Sequence, residues 1–147
     1  MKAAIFDFTR TLFDPEKGEL YPGAFPLLEF FRNQGWRLAL LSRAGEGRQD
    51  FIASISYFFE IIKVVSDKSL EDFQEIAARL GLNPSDLLII GDRIKREIVL
   101  GNRMGAITIW LKQGKFKQET PDNKSEEPHY IFESLSEITT FLKNNQL

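Results

Sequence analysis

Residues 1–11 read MKAAIFDFTRT, and within them a short apolar run from Ala3 to Phe6 ends at Asp7. The run is long enough for a strand that is buried on both faces and too short for a helix. In open α/β sheets, ligands bind outside the carboxyl ends of the strands. Asp7 therefore has two interpretations: a carboxylate that caps a turn, or a carboxylate that faces a ligand.

Apolar runs alternate with segments of helical periodicity along the rest of the chain. Strands are predicted at 3–6, 37–41, 61–65, 87–90 and 106–111, with 130–132 as one more short edge strand. Helices are predicted from Leu27 to a cap at Gly35, over 50–59, between a cap at Ser69 and Gly81, after Asp92 through Met104, and after a cap at Ser134. Such alternation predicts a three-layer α/β fold, with about five parallel strands, helices on both faces, and one domain over 1–147.

Two segments lack this periodicity and are predicted to be loops. Residues 12–23 are punctuated by Asp-Pro and Pro-Gly pairs, which favour turns. Residues 112–128 are polar and charged, with two prolines and a glycine, which indicates a solvated loop. This second loop is long enough to act as a partial lid.

Composition excludes several classes of protein. The chain has 147 residues, a net charge of −2, no cysteine and one histidine, His129. Disulfides, thiol nucleophiles, cysteine-based zinc sites and serine–histidine triads are therefore not expected. The charge does not favour nucleic acid or an anionic membrane, and no apolar run could span a bilayer. A strand begins almost at residue 1, so we expect no leader peptide and a cytoplasmic protein.

A second carboxylate, Asp92, follows another apolar strand. The strands before Asp7 and Asp92 are the first and the fourth of the predicted sheet. If these strands are neighbours, both carboxylates meet in the crevice where the winding of the sheet reverses.

Four short motifs at these strand ends resemble those of the haloacid dehalogenase-like (HAD) superfamily of phosphohydrolases and phosphotransferases. Residues 7–12, DFTRTL, resemble its first motif, Asp-x-Asp-x-Thr-Leu, and residues 40–42, LLS, resemble its second. Lys68 stands just before a helix, like the third motif's lysine. Gly91-Asp92, with Glu97 five positions after Asp92, resembles the acidic fourth motif. The resemblance implies a Rossmann-like core.

The resemblance also implies a reaction and a metal. Asp7 would attack a phosphoryl group and form an aspartyl phosphate, which divides one difficult step into two easier ones. Mg²⁺ would be held by the carboxylates of Asp7 and Asp92 and by the backbone carbonyl of Thr9. Glu97 would hold a metal-bound water or buttress Asp92, although its side chain is longer than the family's usual aspartate.

Further residues are expected to contact the phosphorylated substrate. By resemblance, Ser42 and Lys68 would bind the transferred phosphoryl oxygens, and Lys68 would also stabilise charge in the transition state. Arg10 and Arg43 are candidate substrate contacts, and Arg93 lies at another strand end. Arginines around one crevice suit an anionic substrate.

Thr9 departs from the pattern of the family's phosphatases. The usual second aspartate at this position protonates the leaving oxygen and then activates water, and a threonine hydroxyl lacks that acidity. The sequence leaves three outcomes open: slow hydrolysis of the phospho-enzyme, a leaving group that needs no acid, or an acid from elsewhere. The candidate donors are Asp14, Glu16, Glu19 and Asp67.

The two places where HAD proteins carry an inserted cap domain are short in this chain: residues 12–23, and the stretch between Ser42 and Lys68. By resemblance this is a capless member, which acts on large substrates or is covered by a second subunit. An inert module that binds a phosphorylated ligand or partner is the main alternative function. A receiver-like domain, phosphorylated by a partner kinase, is a third possible function. It is disfavoured because such domains have acidic residues clustered after the first strand, whereas residues 3–6 of this chain, up to Asp7, are apolar.

Overall fold

The structure is a computed structural model that describes residues 2–45, 47–145 and 147. The strands are β1 (Ala3–Phe6), β2 (Phe13–Asp14), β3 (Glu19–Leu20), β4 (Arg37–Arg43), β5 (Ile61–Val65), β6 (Leu87–Gly91), β7 (Ile107–Leu111) and β8 (Tyr130–Phe132). The α-helices are α1 (Ala24–Asn33), α2 (Gln49–Ile55), α3 (Leu70–Leu80), α4 (Val99–Met104) and α5 (Leu135–Asn144).

Six of these strands form one parallel sheet in the order β5-β4-β1-β6-β7-β8. Ile5 in β1 is opposite Ala39 of β4 and Ile89 of β6. The first and fourth predicted strands are therefore neighbours, as the crevice between Asp7 and Asp92 requires. The predicted α/β fold is confirmed, with the segment 130–132 as a sixth strand at the edge.

Hydrophobic side chains fill both faces of the sheet, because successive residues of a strand point to opposite sides. Phe6 and Leu40 point toward α1 and α5, whereas Ile5 and Leu41 point toward α3. Both layers are fully buried at the centre of the sheet. The result is a rigid platform whose strand ends hold the polar residues.

The N-cap of helix α3, Ser69, directly follows Lys68, and the helix has well-defined ends. Ser69 and Asp72 form a capping box, in which each side chain bonds the backbone N–H of the other residue. Gly81 ends the helix with a φ of 68°, a left-handed conformation that favours glycine. The cap fixes the turn that carries Lys68 into the sheet's carboxyl edge.

Residues 12–23, predicted to be a loop, contain the small antiparallel hairpin β2–β3. Asp14 stabilises its turn by accepting hydrogen bonds from the backbone N–H groups of Glu16 and Lys17. Strands of two residues are too short to show the alternation by which strands are predicted. Arg10, three positions before the hairpin, has a φ of 64°, in the left-handed region of the backbone.

Residues 112–128 hold two short 3₁₀ turns, Gly114–Phe116 and Lys124–Glu126. We call residues 112–128 the strap. Lys95 forms ion pairs with Asp122, at 2.5 Å, and with Glu126. The Asn102 amide donates hydrogen bonds to two further backbone carbonyls of the strap, at 2.8 and 2.9 Å. The strap is therefore fastened to the protein, although most of its side chains are exposed as predicted.

The helix predicted after Asp92 begins as a π-helical turn, Ile94–Ile98, before it continues as α4. This wider turn places Glu97 inside the protein, where 2% of its surface is exposed. In the described part of the chain, none of the helices has the length and apolar character needed to cross a membrane.

Candidate active site

A cavity of about 180 Å³ opens at the carboxyl ends of β1, β4 and β6. Its lining includes five residues that the sequence motifs predict: Asp7, Thr9, Lys68, Asp92 and Glu97. The backbone N–H of Asp7 donates to the carbonyl of Ile90 in β6, which holds Asp7 beside the Gly91-Asp92 turn. The strand order thus brings motifs that are distant in sequence into one pocket.

The carboxylate of Asp7 is held from two sides. The buried Lys68 ammonium donates to Oδ1, and the hydroxyl of Thr11 donates to Oδ2 at 2.9 Å. Burial acts to raise the pKa of Asp7, but the Lys68 charge and hydrogen bonds that involve Asp92, Lys68 and Thr11 outweigh it and keep that pKa below its usual value. Asp7 is therefore an ionised carboxylate with a fixed orientation.

Three carboxylates crowd together at this point. Oxygen atoms of Asp7, Asp92 and Glu97 lie within 4.8 Å of one another. Burial, together with the charges of Asp7 and Glu97, raises the pKa of Asp92 to about 10. Burial also raises the pKa of Glu97 to about 7, against the opposing charge of Lys68. One lysine therefore does not neutralise the cluster, which favours a further cation.

The cluster has the donor set of a magnesium site. Its three side chains offer only carboxylate oxygens, the ligands that Mg²⁺ prefers. Oε2 of Glu97 is buried and has no hydrogen-bond partner among the described residues. A buried carboxylate oxygen without a partner is costly, and a bound cation would satisfy it. The residues present therefore fit the metal that the motifs imply.

Two features of the main chain set the position of this cluster. The indole N–H of Trp110 donates to the backbone carbonyl of Asp92 at 2.9 Å, which anchors the turn. A Cβ atom at Gly91 would lie only 2.7 Å from Cβ and Cγ of Glu97. Glycine at residue 91 therefore makes room for the glutamate side chain.

Thr9 lies in the pocket, where the family's second aspartate is expected. Its hydroxyl is buried and has no hydrogen-bond partner among the described residues. The four candidate proton donors do not line the cavity. They have other places: Asp14 in the hairpin turn, Glu16 beside Arg10, Glu19 in β3, and Asp67 exposed beside Arg96.

Ser42 is buried in β4, next to the pocket but not in its lining. Its hydroxyl donates to the backbone carbonyl of Arg43 at 3.0 Å. In this arrangement the hydroxyl provides a hydrogen-bond donor to a backbone carbonyl at the end of the strand. The phosphate-binding role of Ser42 stays a prediction.

Arg10, Arg43 and Arg93, the three arginines noted at strand ends, all line the cavity. The sequence motifs gave no sign of four further lining residues: Arg48, Arg96, Lys115 and Phe116. Arg48 precedes α2 and Arg96 lies in the π-helical turn. Lys115 and Phe116 come from the strap, which was predicted only as a loop.

The ring of Phe116 supports two of these arginines. The guanidinium carbon of Arg93 lies 3.8 Å from the ring centroid, and that of Arg10 lies 5.7 Å from it. Gln113 in the strap also donates to the backbone carbonyl of Arg10 at 3.1 Å. The strap thus forms one wall of the pocket.

Comparisons with known proteins identify proteins to which this chain is similar. A family model described as HAD-hydrolase-like matches residues 69–138. Glyceraldehyde 3-phosphate phosphatase of Methanopyrus kandleri is 26% identical over 126 residues, which cover 80% of this chain and 54% of the relative. The protein of the same name from Methanocaldococcus jannaschii is 32% identical over 75 residues, 51% of this chain and 32% of the relative. The chain thus spans about half or less of these relatives.

A solved structure shares the whole fold. The crystal structure of a HAD phosphatase from Thermococcus onnurineus superposes with a TM-score of 0.80 at 15% identity, and each chain covers 100% of the other. Fold and site together define a Rossmann-like α/β protein with an acidic cluster at the carboxyl ends of its central strands. The family model, the relatives and the shared fold together support a hydrolase of the haloacid dehalogenase-like superfamily, and in the described residues neither insertion place holds a cap domain. Among the described residues, the first place holds the β2–β3 hairpin, and the second holds α2, a 3₁₀ turn (Ser56–Phe58) and β5.

Proposed function

We propose that the protein is a phosphatase that forms an aspartyl phosphate on Asp7 and needs Mg²⁺. The observation that supports this most is the arrangement of Asp7, with Lys68 on one oxygen and a cluster of two further carboxylates beside it. The relatives named as phosphatases support the same class of reaction. Their substrate, glyceraldehyde 3-phosphate, belongs in the first panel of esters to be tested.

The chemistry follows from the positions of the side chains. An oxygen of Asp7 attacks phosphorus, a new phosphorus–oxygen bond forms, and the ester bond to the leaving alcohol breaks. Water then attacks the phosphorus of the aspartyl phosphate, which releases inorganic phosphate and regenerates the Asp7 carboxylate. Lys68 keeps Asp7 ionised before attack and stabilises the negative charge that develops on the phosphoryl oxygens.

Asp7, Asp92 and Glu97, with the Thr9 carbonyl predicted from the motif, are the proposed ligands of Mg²⁺. When bound, the metal would neutralise the charge of the attacking carboxylate and of the phosphate. The residues of the cluster hold their oxygens together before any ligand arrives, because their backbones are fixed by the central strands and by Trp110.

The threonine at position 9 determines how fast we expect phosphate esters to be hydrolysed. It cannot protonate the leaving alkoxide, so that proton comes from solvent in the first step. A positioned general acid and base contributes about 100- to 10,000-fold to a rate. We therefore expect slow turnover with ordinary alkyl phosphates and faster turnover with leaving groups that need no proton, such as 4-nitrophenol.

The test measures phosphate release from a panel of esters with Mg²⁺ for the wild type, Asp7→Asn and Thr9→Asp. We expect metal-dependent turnover that is lost in Asp7→Asn and is faster in Thr9→Asp for alkyl esters. The gain should shrink for 4-nitrophenyl phosphate, because its leaving group needs no acid. Turnover that survives in Asp7→Asn would contradict the proposed nucleophile.

A second function is favoured by one observation, the buried Thr9 hydroxyl in place of a carboxylic acid. In this case the protein binds a phosphorylated ligand or partner and turns it over little or not at all. A wild type that binds phosphate with Mg²⁺ but is silent with every ester, while Thr9→Asp is active, would support this function. A wild type with clear turnover would exclude it.

A further inference from the structure

The cavity is much more basic than the rest of the protein. Seven of the nineteen lysine and arginine side chains line it, with three carboxylates, although the chain as a whole has a net charge of −2. A divalent cation and Lys68 would balance the three carboxylates. Six further cations then remain for the substrate: Arg10, Arg43, Arg48, Arg93, Arg96 and Lys115. A phosphate monoester carries at most about two negative charges at neutral pH.

These six cations differ in whether a nearby carboxylate of the protein already neutralises their charge. Three have a carboxylate within 4.0 Å: Arg10 with Glu16, Arg93 with Glu119, and Arg96 with Asp67. Arg43 and Arg48 have no carboxylate partner within that distance among residues 2–45, 47–145 and 147. Within the described part of the chain, they are the lining arginines whose charge is most available to an anion.

Backbone carbonyls hold these two guanidinium groups. Nη1 of Arg48 donates to the carbonyl of Arg43 at 2.8 Å, and Nε of Arg43 donates to the carbonyl of Ser66 at 3.3 Å. Each bond uses one of the five N–H donors of an arginine, so several donors are left on each side chain. Two guanidinium groups that line one cavity, each anchored through a carbonyl, are well suited to bind a carboxylate or phosphate.

The volume of the cavity indicates how large a ligand it can hold. At about 180 Å³ it is several times larger than the share of one water molecule, about 30 Å³ in the liquid. It therefore has room for a small organic phosphate beyond the phosphoryl group itself. Arg43 lies at the end of β4 and Arg48 just before α2, and both line this space together with Phe116.

We propose that Arg43 and Arg48 form a second anion subsite, so that the substrate is a small phosphate ester with a further carboxylate or phosphate group. The inference rests on the proposed function, because it takes the scissile phosphoryl group to lie at Asp7. Carboxylate and phosphate share the recognition chemistry of this subsite, and matched substrates distinguish them.

Two pairs of esters test the subsite with Mg²⁺. Glycerol 3-phosphate and 3-phosphoglycerate differ by a carboxylate, whereas fructose 6-phosphate and fructose 1,6-bisphosphate differ by a phosphate. We expect kcat/KM to be at least about tenfold higher for the more anionic member of one pair. A hydrogen bond between charged groups typically strengthens binding by about that factor or more. The preferred pair identifies the second group.

Variants assign this preference to the two arginines. Arg48→Gln and Arg43→Gln should each reduce the ratio of kcat/KM within the preferred pair toward one, chiefly through KM for the more anionic ester. Arg48→Lys should keep part of the ratio, because it retains the charge but not the planar fork. Arg79→Gln, on the exposed face of α3, is the matched control and should leave the ratio unchanged.

Binding to the Asp7→Asn protein separates this inference from the proposed function. Calorimetry with Mg²⁺ measures the affinity for both pairs without turnover. Tighter binding of the more anionic ester that Arg48→Gln abolishes supports the subsite, even if the wild type releases no phosphate. Equal affinity and equal kcat/KM within both pairs would overturn the subsite and leave the proposed function standing.

Discussion

The ammonium group of Lys68 contacts Oδ1 of Asp7, although 61 positions separate the two residues in the sequence. Asp7 follows the central strand β1, and Lys68 precedes α3 after the edge strand β5. Both side chains are buried, and Glu97 lies 3.7 Å from the same ammonium. Lys68 is thus the one cation in direct contact with the acidic cluster among the described residues.

Removal of this cation should harm both folding and activity. We expect Lys68→Gln to lower the free energy of unfolding of the metal-free protein by about 3–5 kcal/mol, because buried carboxylates lose their charged partner. Phosphate release should fall by about 100- to 1,000-fold, the typical effect of one lost donor to a developing oxyanion. Chemical denaturation without metal and steady-state kinetics with Mg²⁺ measure the two effects.

The matched control for Lys68 is Lys95→Gln in the π-helical turn. Lys95 also contacts two carboxylates, Asp122 and Glu126, but at the protein surface. Exposed ion pairs contribute little to stability, so the free energy of unfolding of this variant should be almost that of the wild type. Equal losses in both variants would show that burial of Lys68 has no special role.

Much of the fold could be predicted because its main signals are local. The apolar run 3–6 and the later runs of the same kind form parallel strands, those at the centre of the sheet are buried, and Asp7 and Asp92 meet at the ends of neighbouring strands. The hairpin at 13–20 could not be predicted, because its two-residue strands have no periodicity. A cytoplasmic location and a second subunit over the site stay predictions.

The residues that form the pocket wall could not be predicted from the sequence motifs. Arg48 and Arg96 come to the site through the placement of α2 and of a π-helical turn, and Phe116 through a strap held by tertiary ion pairs. The polar composition of the strap does not distinguish a segment that forms a pocket wall from a solvated loop. Only the packed structure shows which side of such a segment faces the cavity.

Gly91 offers a way to disturb the metal site without a change of charge. In Gly91→Ala the new methyl group would meet Glu97, 2.7 Å from its Cβ, so the glutamate must move. We expect the affinity for Mg²⁺ to fall by about 10- to 100-fold, as when a supporting contact of a metal ligand is lost. Calorimetric titration of the metal-free protein with Mg²⁺ measures the change.

Gly101→Ala is the control for this variant. Its methyl group would lie 2.6 Å from Cγ2 of Thr108 and 2.9 Å from Cδ1 of Ile89, in the core and away from the acidic cluster. It should destabilise the protein and leave the affinity for Mg²⁺ unchanged. If both variants lose the same affinity, the effect arises from general destabilisation and not from displacement of Glu97.

Phe116 is expected to act through the two arginines beside its ring. In Phe116→Leu the guanidinium groups of Arg93 and Arg10 lose an aromatic face that contributes about 0.5–2 kcal/mol. We therefore expect KM for phosphate esters to rise by about 2- to 30-fold, with a smaller change in kcat. Steady-state kinetics and the inhibition constant of inorganic phosphate measure this effect.

Tyr57→Leu is the control for Phe116, because Tyr57 is an exposed aromatic whose ring lies 5.7 Å from the guanidinium carbon of Arg32. It is remote from the cavity and should leave KM unchanged. A Phe116→Leu protein with the KM of the wild type would show that the strap does not help to bind substrate.

Asp72 links the pH dependence of stability to the cap of α3. Burial acts to raise its pKa, but hydrogen bonds from Lys63 and Ser69 outweigh it and hold that pKa below the usual 3.8. An acid with a depressed pKa stabilises the fold above its unfolded pKa, and that stability is lost as pH falls through the lower, folded pKa. We expect Asp72→Asn to lower the free energy of unfolding at pH 7 by about 1 kcal/mol. The difference between the two proteins should shrink below about pH 4, where the unfolded aspartate is protonated.

Urea denaturation of both proteins between pH 3 and pH 8 tests this prediction. Glu71→Gln, a neighbour in the same first turn, is the control, because Glu71 is exposed and takes no part in the capping box. It should change stability much less at every pH. A difference between wild type and Asp72→Asn that stays constant as the pH falls would mean that the capping contribution does not depend on the charge of Asp72.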